Sequence, residues 1–287
     1  MPDLQARGVR IHALRLGSGA PTIVCVHGLV LDNHSSFYLT LAPALAQHRD
    51  VVLYDLRGHG LSDQPAGGYT VEDMVADLVA LLASLGLDSA PLILVGHSLG
   101  GYIALRFALA HPDAVRGLVL IEAHTGLADL GEKMKQCLSL AGEARTQKVE
   151  ELLRHWVSQH TPADESGSVA PARRNDVVSS IAQLQRMRQR RRNLLGNTAM
   201  RLVEHTSFAR DIAHAPPIDD ASLARIACPV LAIYGAESDL LPDVERLARL
   251  VPHSRTKLVP GCAHGVMFHA TALVRDAILA WLQDVTA

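Results

Sequence analysis

Six short runs dominated by Val, Ile and Leu punctuate the chain: "TIVCVH" (22–27), "VVLYD" (51–55), "LILVG" (92–96), "GLVLIE" (117–122), "VLAIYG" (230–235) and "TKLVPG" (256–261). Several are apolar almost throughout, as strands of a parallel sheet covered on both faces are. Between them lie "LTLAPALAQH", "VEDMVADLVALLASLG", "GYIALRFALAHP", "DVERLARLVP" and "ATALVRDAILAWLQ", whose apolar residues recur near the helical period. This alternation predicts an α/β fold with parallel strands joined by right-handed helical crossovers.

The alternation stops after Glu122 and resumes at Cys228 and Pro229. The roughly hundred residues between show helical periodicity and no convincing strand, and a structureless loop of that length does not suit a compact fold. The spacing therefore predicts a core built from 1–124 and 226–287 with a helical insertion over 125–225, roofing the end of the sheet. A 48% hydrophobic fraction over 287 residues is enough to bury such a core.

Charge and cysteine usage narrow the functional classes. A formal net charge of -2 exerts no whole-molecule pull toward nucleic acid or an acidic membrane surface. Cys25, Cys137, Cys228 and Cys262 form no C-x-x-C pair and read as buried reduced thiols. The opening "MPDLQARGVRIHALRLG" lacks a signal-peptide core, and no stretch is apolar for the length of a membrane span. The expectation is a cytoplasmic protein with no membrane span and no nucleic-acid partner.

"GHSLGG", Gly96 to Gly101, stands between a predicted strand and a predicted helix. In G-x-S-x-G at such a junction the glycines permit a turn so sharp that the serine oxygen projects above the strand ends. A serine that merely N-caps the helix is the plainer reading of the same residues. Serine is a poor nucleophile until a base takes its proton, and that base needs an acid to fix its tautomer. "LAIYGAESDLLP" puts Asp239 just past one strand and "KLVPGCAHGVMF" puts His264 just past the last, in the chain order Ser, acid, His.

Together "VHGL", "DLRGHGLSD", "GHSLGG", "YGAESDLLP" and "PGCAHG" resemble the α/β-hydrolase fold family from about Arg10 to the C-terminus, the insertion apart. The resemblance implies a mostly parallel, eight-stranded sheet flanked by helices, with an inserted helical cap. It implies Ser98 as nucleophile, His264 as general base and acid, Asp239 as the orienting carboxylate, and an oxyanion hole from the backbone N–H groups of Leu29 and Leu99. Asp55, Arg57 and His59 of "DLRGHGLSD" read as loop scaffolding. Many members space the acid as G-x-x-D, whereas Gly235 to Asp239 is one residue longer. Glu237 lies close by, and Glu122, beyond another strand end, is an alternative acid.

A serine nucleophile argues against the dehalogenases and epoxide hydrolases of this fold, which attack with aspartate. Cleavage of a carboxylic ester or thioester leads. Carbon–carbon bond hydrolase, lyase, perhydrolase and non-catalytic binding homologue stand as alternatives. "QRMRQRRRN", with Arg186, Arg188, Arg190, Arg191 and Arg192, reads either as a solvated helix face or as a dock for coenzyme A or an acyl carrier protein. No histidine or cysteine spacing resembles a metal site, and the reading requires no metal or organic cofactor.

Overall fold

The structure, a computed structural model, describes residues 4–29, 32–160 and 198–286. Strands β1 (Leu4–Ala6) and β2 (Val9–Ile11) pair as an antiparallel ribbon. The main sheet takes β3 (Ala13–Leu16), β4 (Ile23–Val26), β5 (Val51–Tyr54), β6 (Leu92–His97), β7 (Val115–Ile121), β8 (Val230–Gly235) and β9 (Ser254–Val259) in the order β3-β5-β4-β6-β7-β8-β9. Only β3 runs antiparallel to its neighbour; the other pairings are parallel. All six runs read as strands are strands.

The strand number differs from the expected eight, because among the described residues the main sheet has seven. The chain leaves it at His12, whose N–H bonds Ser62 Oγ at 3.0 Å and whose carbonyl accepts from Asp55 N at 2.9 Å. Those bonds turn the β1–β2 ribbon away, and it packs on α3 instead.

Helical segments cover both faces of the sheet. Single turns α1 (Ser35–Tyr38) and α2 (Ala42–Leu45) follow β4; α3 (Val71–Ser84) follows β5, and α4 (Leu99–Ala110) follows β6. Between β7 and β8 come α5 (Ala128–Ser139), α6 (Gly142–His160), α7 (198–205), α8 (Phe208–Ala213) and α9 (Asp220–Leu223), and no strand occurs among the described residues there. The chain closes with α10 (Leu241–Leu250), α11 (Val266–His269) and α12 (Thr271–Thr286). Side chains alternate between two cores: Val24, Val26 and Leu94 join Leu78 and Tyr102, while Ile23, Cys25 and Ile93 join Leu45 and Trp281. Burial on both faces is why the strands lack the apolar/polar alternation of a half-exposed sheet.

Parallel register then sets the site. Val26 pairs Gly96, His97 pairs Ile121, Ile121 pairs Ile233 and Gly235 pairs Val259, so the loops leaving β4, β6, β7, β8 and β9 emerge along one edge. Open parallel sheets place ligands at this carboxyl edge. The helices between β7 and β8 are tied to the loop that leaves β5: Ser207 N bonds Ala66 O at 2.8 Å and Tyr69 N bonds Asp211 Oδ2 at 3.0 Å. They also reach α4, where the Tyr102 hydroxyl donates to the Pro216 carbonyl. That loop is clamped in turn by Arg57, which grips Asp77 of α3 through two bonds of 2.6 and 2.5 Å.

Candidate active site

Ser98 occupies φ 53°, ψ -119°, a conformation unfavourable for any residue with a Cβ. The turn around it is sterically forced. A Cβ on Gly100 would lie 2.0 Å from the Val26 carbonyl oxygen, and one on Gly96 would lie 2.5 Å from the Gly101 Cα. The serine makes no capping hydrogen bond to α4. Its hydroxyl faces His264 instead, with Oγ 3.1 Å from Nε2. The capping reading of "GHSLGG" therefore gives way to that of a hydroxyl presented to an imidazole.

The other face of the same imidazole meets Glu122, with Nδ1 3.3 Å from Oε2. This differs from the expected partner, Asp239. The tight turn Ser238 N to Gly235 O, 3.2 Å, points Ser238 inward and leaves Glu237 and Asp239 exposed. Glu122 directly follows β7, is fully buried and has φ 48°. Two donors hold it, Gly235 N–H at Oε1 and the Ser238 hydroxyl at Oε2 at 2.5 Å, and the same Oε2 faces the His264 ring. Among the described residues only Arg7, Ser98 and Glu122 have positive φ without being glycine, so two of the three strained positions carry the hydroxyl and the carboxylate. Such strain costs on the order of 1–3 kcal/mol each and persists where surrounding structure over-determines it. With Nδ1 protonated and donating to Glu122, Nε2 is the acceptor that a serine hydroxyl requires.

Leu99 opens α4, and amides in a helix's first turn have no intrahelical acceptor. Leu29 follows Gly28, whose backbone approaches the serine so closely that a Cβ there would sit 3.3 Å from Ser98 Cβ. The Gly28 turn is organised from below. Asp32 Oδ2 accepts from Gly28 N at 2.8 Å and lies 3.2 Å from His97 Nδ1, while Oδ1 accepts from Asn33 N at 2.9 Å. Burial alone would raise the Asp32 pKa, but the His97 bond, the neighbouring His27 and His97 and the Gly28 N–H hold it well below the usual carboxylate range. His27 bridges the same turn to the next loop, with Nδ1 2.8 Å from Gly28 O and Nε2 accepting from Leu56 N at 2.9 Å.

His124 packs its ring 6.1 Å from that of His264. Burial, followed by repulsion from His264 and His97, pushes its pKa down to about 3, so it is neutral at physiological pH. Away from the serine, His12, His34 and Asp55 bring potential ligand atoms within 4.8 Å of one another. Asp55 Oδ1 already takes His34 N at 2.7 Å and faces His34 Nδ1 at 2.9 Å, and Oδ2 takes Leu61 N at 2.8 Å. That bonding fits a clamp between the β4 loop and the end of β5. The arginines from Arg186 to Arg192 lie outside the described residues.

Sequence reasoning missed Ser238, Asp32 and the pairing of His97. One signal for Ser238 was present: it stands where a G-x-x-D spacing counted from Gly235 would put its acid.

Residues 21–271 match the family model described as the alpha/beta hydrolase fold. A protein from Enterobacter cloacae subsp. cloacae named "Putative carbamate hydrolase RutD" is 30% identical over 259 residues, covering 86% of this chain and 85% of that relative. A 2-(acetamidomethylene)succinate hydrolase from Mesorhizobium japonicum is 35% identical over a shorter stretch, 40% of this chain and 39% of its own length. Among solved structures, a thermophilic esterase from Thermogutta terrifontis superposes with a TM-score of 0.77 at 23% identity, covering 99% of this chain and 97% of its own. The enol-lactonase from Burkholderia xenovorans LB400 does so with a TM-score of 0.76 at 20% identity, covering 98% and 100%.

Proposed function

Because this chain belongs to the α/β-hydrolase fold family, we propose that it is a serine hydrolase cleaving a carboxylic ester or thioester through Ser98, His264 and Glu122. One observation carries the reading: a single imidazole bridges a strained serine hydroxyl at 3.1 Å and a buried carboxylate at 3.3 Å. Ser98 Oγ attacks the substrate carbonyl as its proton passes to His264 Nε2. Glu122 stabilises the imidazolium and holds the tautomer. The Leu29 and Leu99 N–H groups receive the developing oxyanion, each contributing on the order of 3 kcal/mol to a well-aligned transition state. His264 then returns the proton to the leaving alkoxide or thiolate. Water, deprotonated by the same Nε2, releases the acid and regenerates Ser98.

In this reading the helices between β7 and β8 cap the site. Ser98 and His264 keep only 8% and 9% of their surface exposed, as suits acyl transfer sheltered from bulk water. A thioester substrate adds a role for Arg186 to Arg192 as the dock for the phosphorylated arm of coenzyme A or an acyl carrier protein. The carbamate named in the RutD relative shares the electrophilic carbonyl that the same steps require.

Turnover of p-nitrophenyl esters, acyl-coenzyme A thioesters and aryl carbamates by the wild-type protein and Ser98→Ala tests the proposal. The expected result is hydrolysis of at least one class, abolished by the substitution. Turnover that survives in Ser98→Ala would point to a lyase using His264 alone and overturn the acyl-enzyme. Hydrolysis of no class by folded protein would favour a binding homologue. Thioester turnover falling with salt more steeply than ester turnover supports the arginine dock, and equal responses remove it.

A further inference from the structure

We infer that His124 and Lys133 form a subsite for a carboxylate carried by the substrate, so that the chain hydrolyses an ester or thioester of an anionic molecule. The inference rests on the reading of Ser98 as the nucleophile and names the substrate class for that site. His124 is placed by its neighbours in the chain. The Ala123 carbonyl accepts from the Tyr234 hydroxyl at 2.6 Å, and the Ala123 side chain lies against Gly101, where an added Cβ would sit 2.3 Å from Ala123 Cβ. On the other side Thr125 N donates to Asp243 Oδ1 at 2.8 Å. With both flanks held, the His124 ring is presented beside that of His264, 6.1 Å away. It is half-buried, and among the described residues it makes no hydrogen bond. An imidazole so placed leaves its N–H for a bound molecule, since a polar group shut away from water needs an acceptor.

Lys133 approaches the same place from α5. Leu130, Met134 and Cys137 make the buried stripe of that helix. Gly131 lies on one side of the stripe, close against Ala213, and Lys133 lies half-buried on the other. Glu132 and Lys135 pair with each other, whereas Lys133 makes no ion pair among the described residues. Its ammonium is near enough to act on the charge of His124, and His264 and His97 act on that ring in the same direction. A carboxylate can accept from the ammonium and from the His124 N–H together, and a bond to an ionised acceptor is a strong one. One ammonium beside a neutral imidazole supplies a single positive charge, which matches a carboxylate better than the nearly double charge of a phosphate monoester.

Three esters test this: p-nitrophenyl hexanoate, p-nitrophenyl hydrogen adipate, which adds a carboxylate to the acyl chain, and carboxynitrophenyl hexanoate, which adds one to the leaving group. Rates are corrected for uncatalysed hydrolysis, and each variant is checked for folding by thermal denaturation. In the wild type kcat/KM for one of the two anionic esters should exceed that for p-nitrophenyl hexanoate by about tenfold, the scale of a hydrogen bond to an ionised group. Lys133→Ala and His124→Phe should each bring that ratio toward unity, and Lys133→Glu should invert it. Lys135→Ala, on the same helix, should keep the wild-type ratio. A wild-type ratio near unity for both anionic esters, or a preference that survives in both Lys133→Ala and Lys133→Glu, would overturn the inference and leave the hydrolase reading standing. Hydrolysis of none of the three by folded protein counts against the hydrolase reading, and calorimetric titration with adipate then decides the subsite. Binding that weakens about tenfold in Lys133→Ala supports it; no binding, or equal binding in the variant, overturns it. If His124→Phe does not fold, the two Lys133 variants decide.

Discussion

Replacing Glu122 with glutamine removes one charge and one acceptor at a point where both are used. In the native site three groups converge on two carboxylate oxygens: Gly235 N–H on Oε1, and the Ser238 hydroxyl and His264 Nδ1 on Oε2. Glutamine offers a single acceptor oxygen. With that oxygen toward His264, its NH2 opposes the Gly235 N–H. Turned the other way, the NH2 faces Nδ1 and selects the tautomer protonated on Nε2, which cannot accept the Ser98 proton. The charge lost is worth about 5 kcal/mol to an imidazolium 3.3 Å away at an effective dielectric of about 20. At about 1.4 kcal/mol per decade, kcat for ester hydrolysis should fall between about 10³- and 10⁴-fold, in line with carboxamide substitution in other serine triads. Asp239→Asn, altering an exposed side chain, should stay within about twofold of wild type in the same steady-state assay. A large loss in Asp239→Asn with near-normal Glu122→Gln would refute the reasoning.

Three further perturbations probe the scaffold. Asp32→Ala removes the carboxylate that takes Gly28 N–H and faces the His97 ring, loosening the turn that carries Leu29, and kcat should drop about 10²-fold on the same ester if the proposed oxyanion donor Leu29 drifts with it. Arg57→Ala leaves the Asp77 carboxylate, 4% exposed, with only the half-exposed Arg7 at 3.9 Å, and should cost about 3 kcal/mol of folding free energy in urea unfolding. Burial, and secondarily repulsion from His27, pushes the His59 pKa down to about 4, against 6.5 when unfolded. Its contribution to stability is therefore present above pH 6.5 and lost as pH falls toward 4, by about 3 kcal/mol. Chemical denaturation across that window should show a shallower pH slope in His59→Gln, and an unchanged slope would contradict the assignment.

The parts of the molecule legible in the sequence are those where local pattern and tertiary role coincide. β4 to β9 stood out because strands buried on both faces must be apolar throughout. β1, β2 and β3 did not, since "LQA", "VRI" and "ALRL" are too short to show a period and are set by pairing and by the bend at His12. The approach of His264 to Ser98 was readable because each sits in a motif at a strand end. The carboxylate was not, because three acids follow strand ends and which one reaches the imidazole is decided by how one turn is wound. Ser238 points inward and Asp239 outward, a difference of one residue to which the G-x-x-D spacing from Gly235 was the one pointer. The positive φ at Glu122 is likewise imposed by packing, as glutamate carries no local preference for it.

Intact-mass analysis of the folded protein after exposure to a fluorophosphonate tests the convergence of Ser98, His264 and Glu122 most directly. The account predicts one adduct per chain, mapped by proteolysis to the peptide carrying Ser98, and slowed by about 10²-fold or more when Glu122 is replaced by glutamine. A folded wild-type chain that stays unlabelled, or an adduct on a different residue, would contradict it.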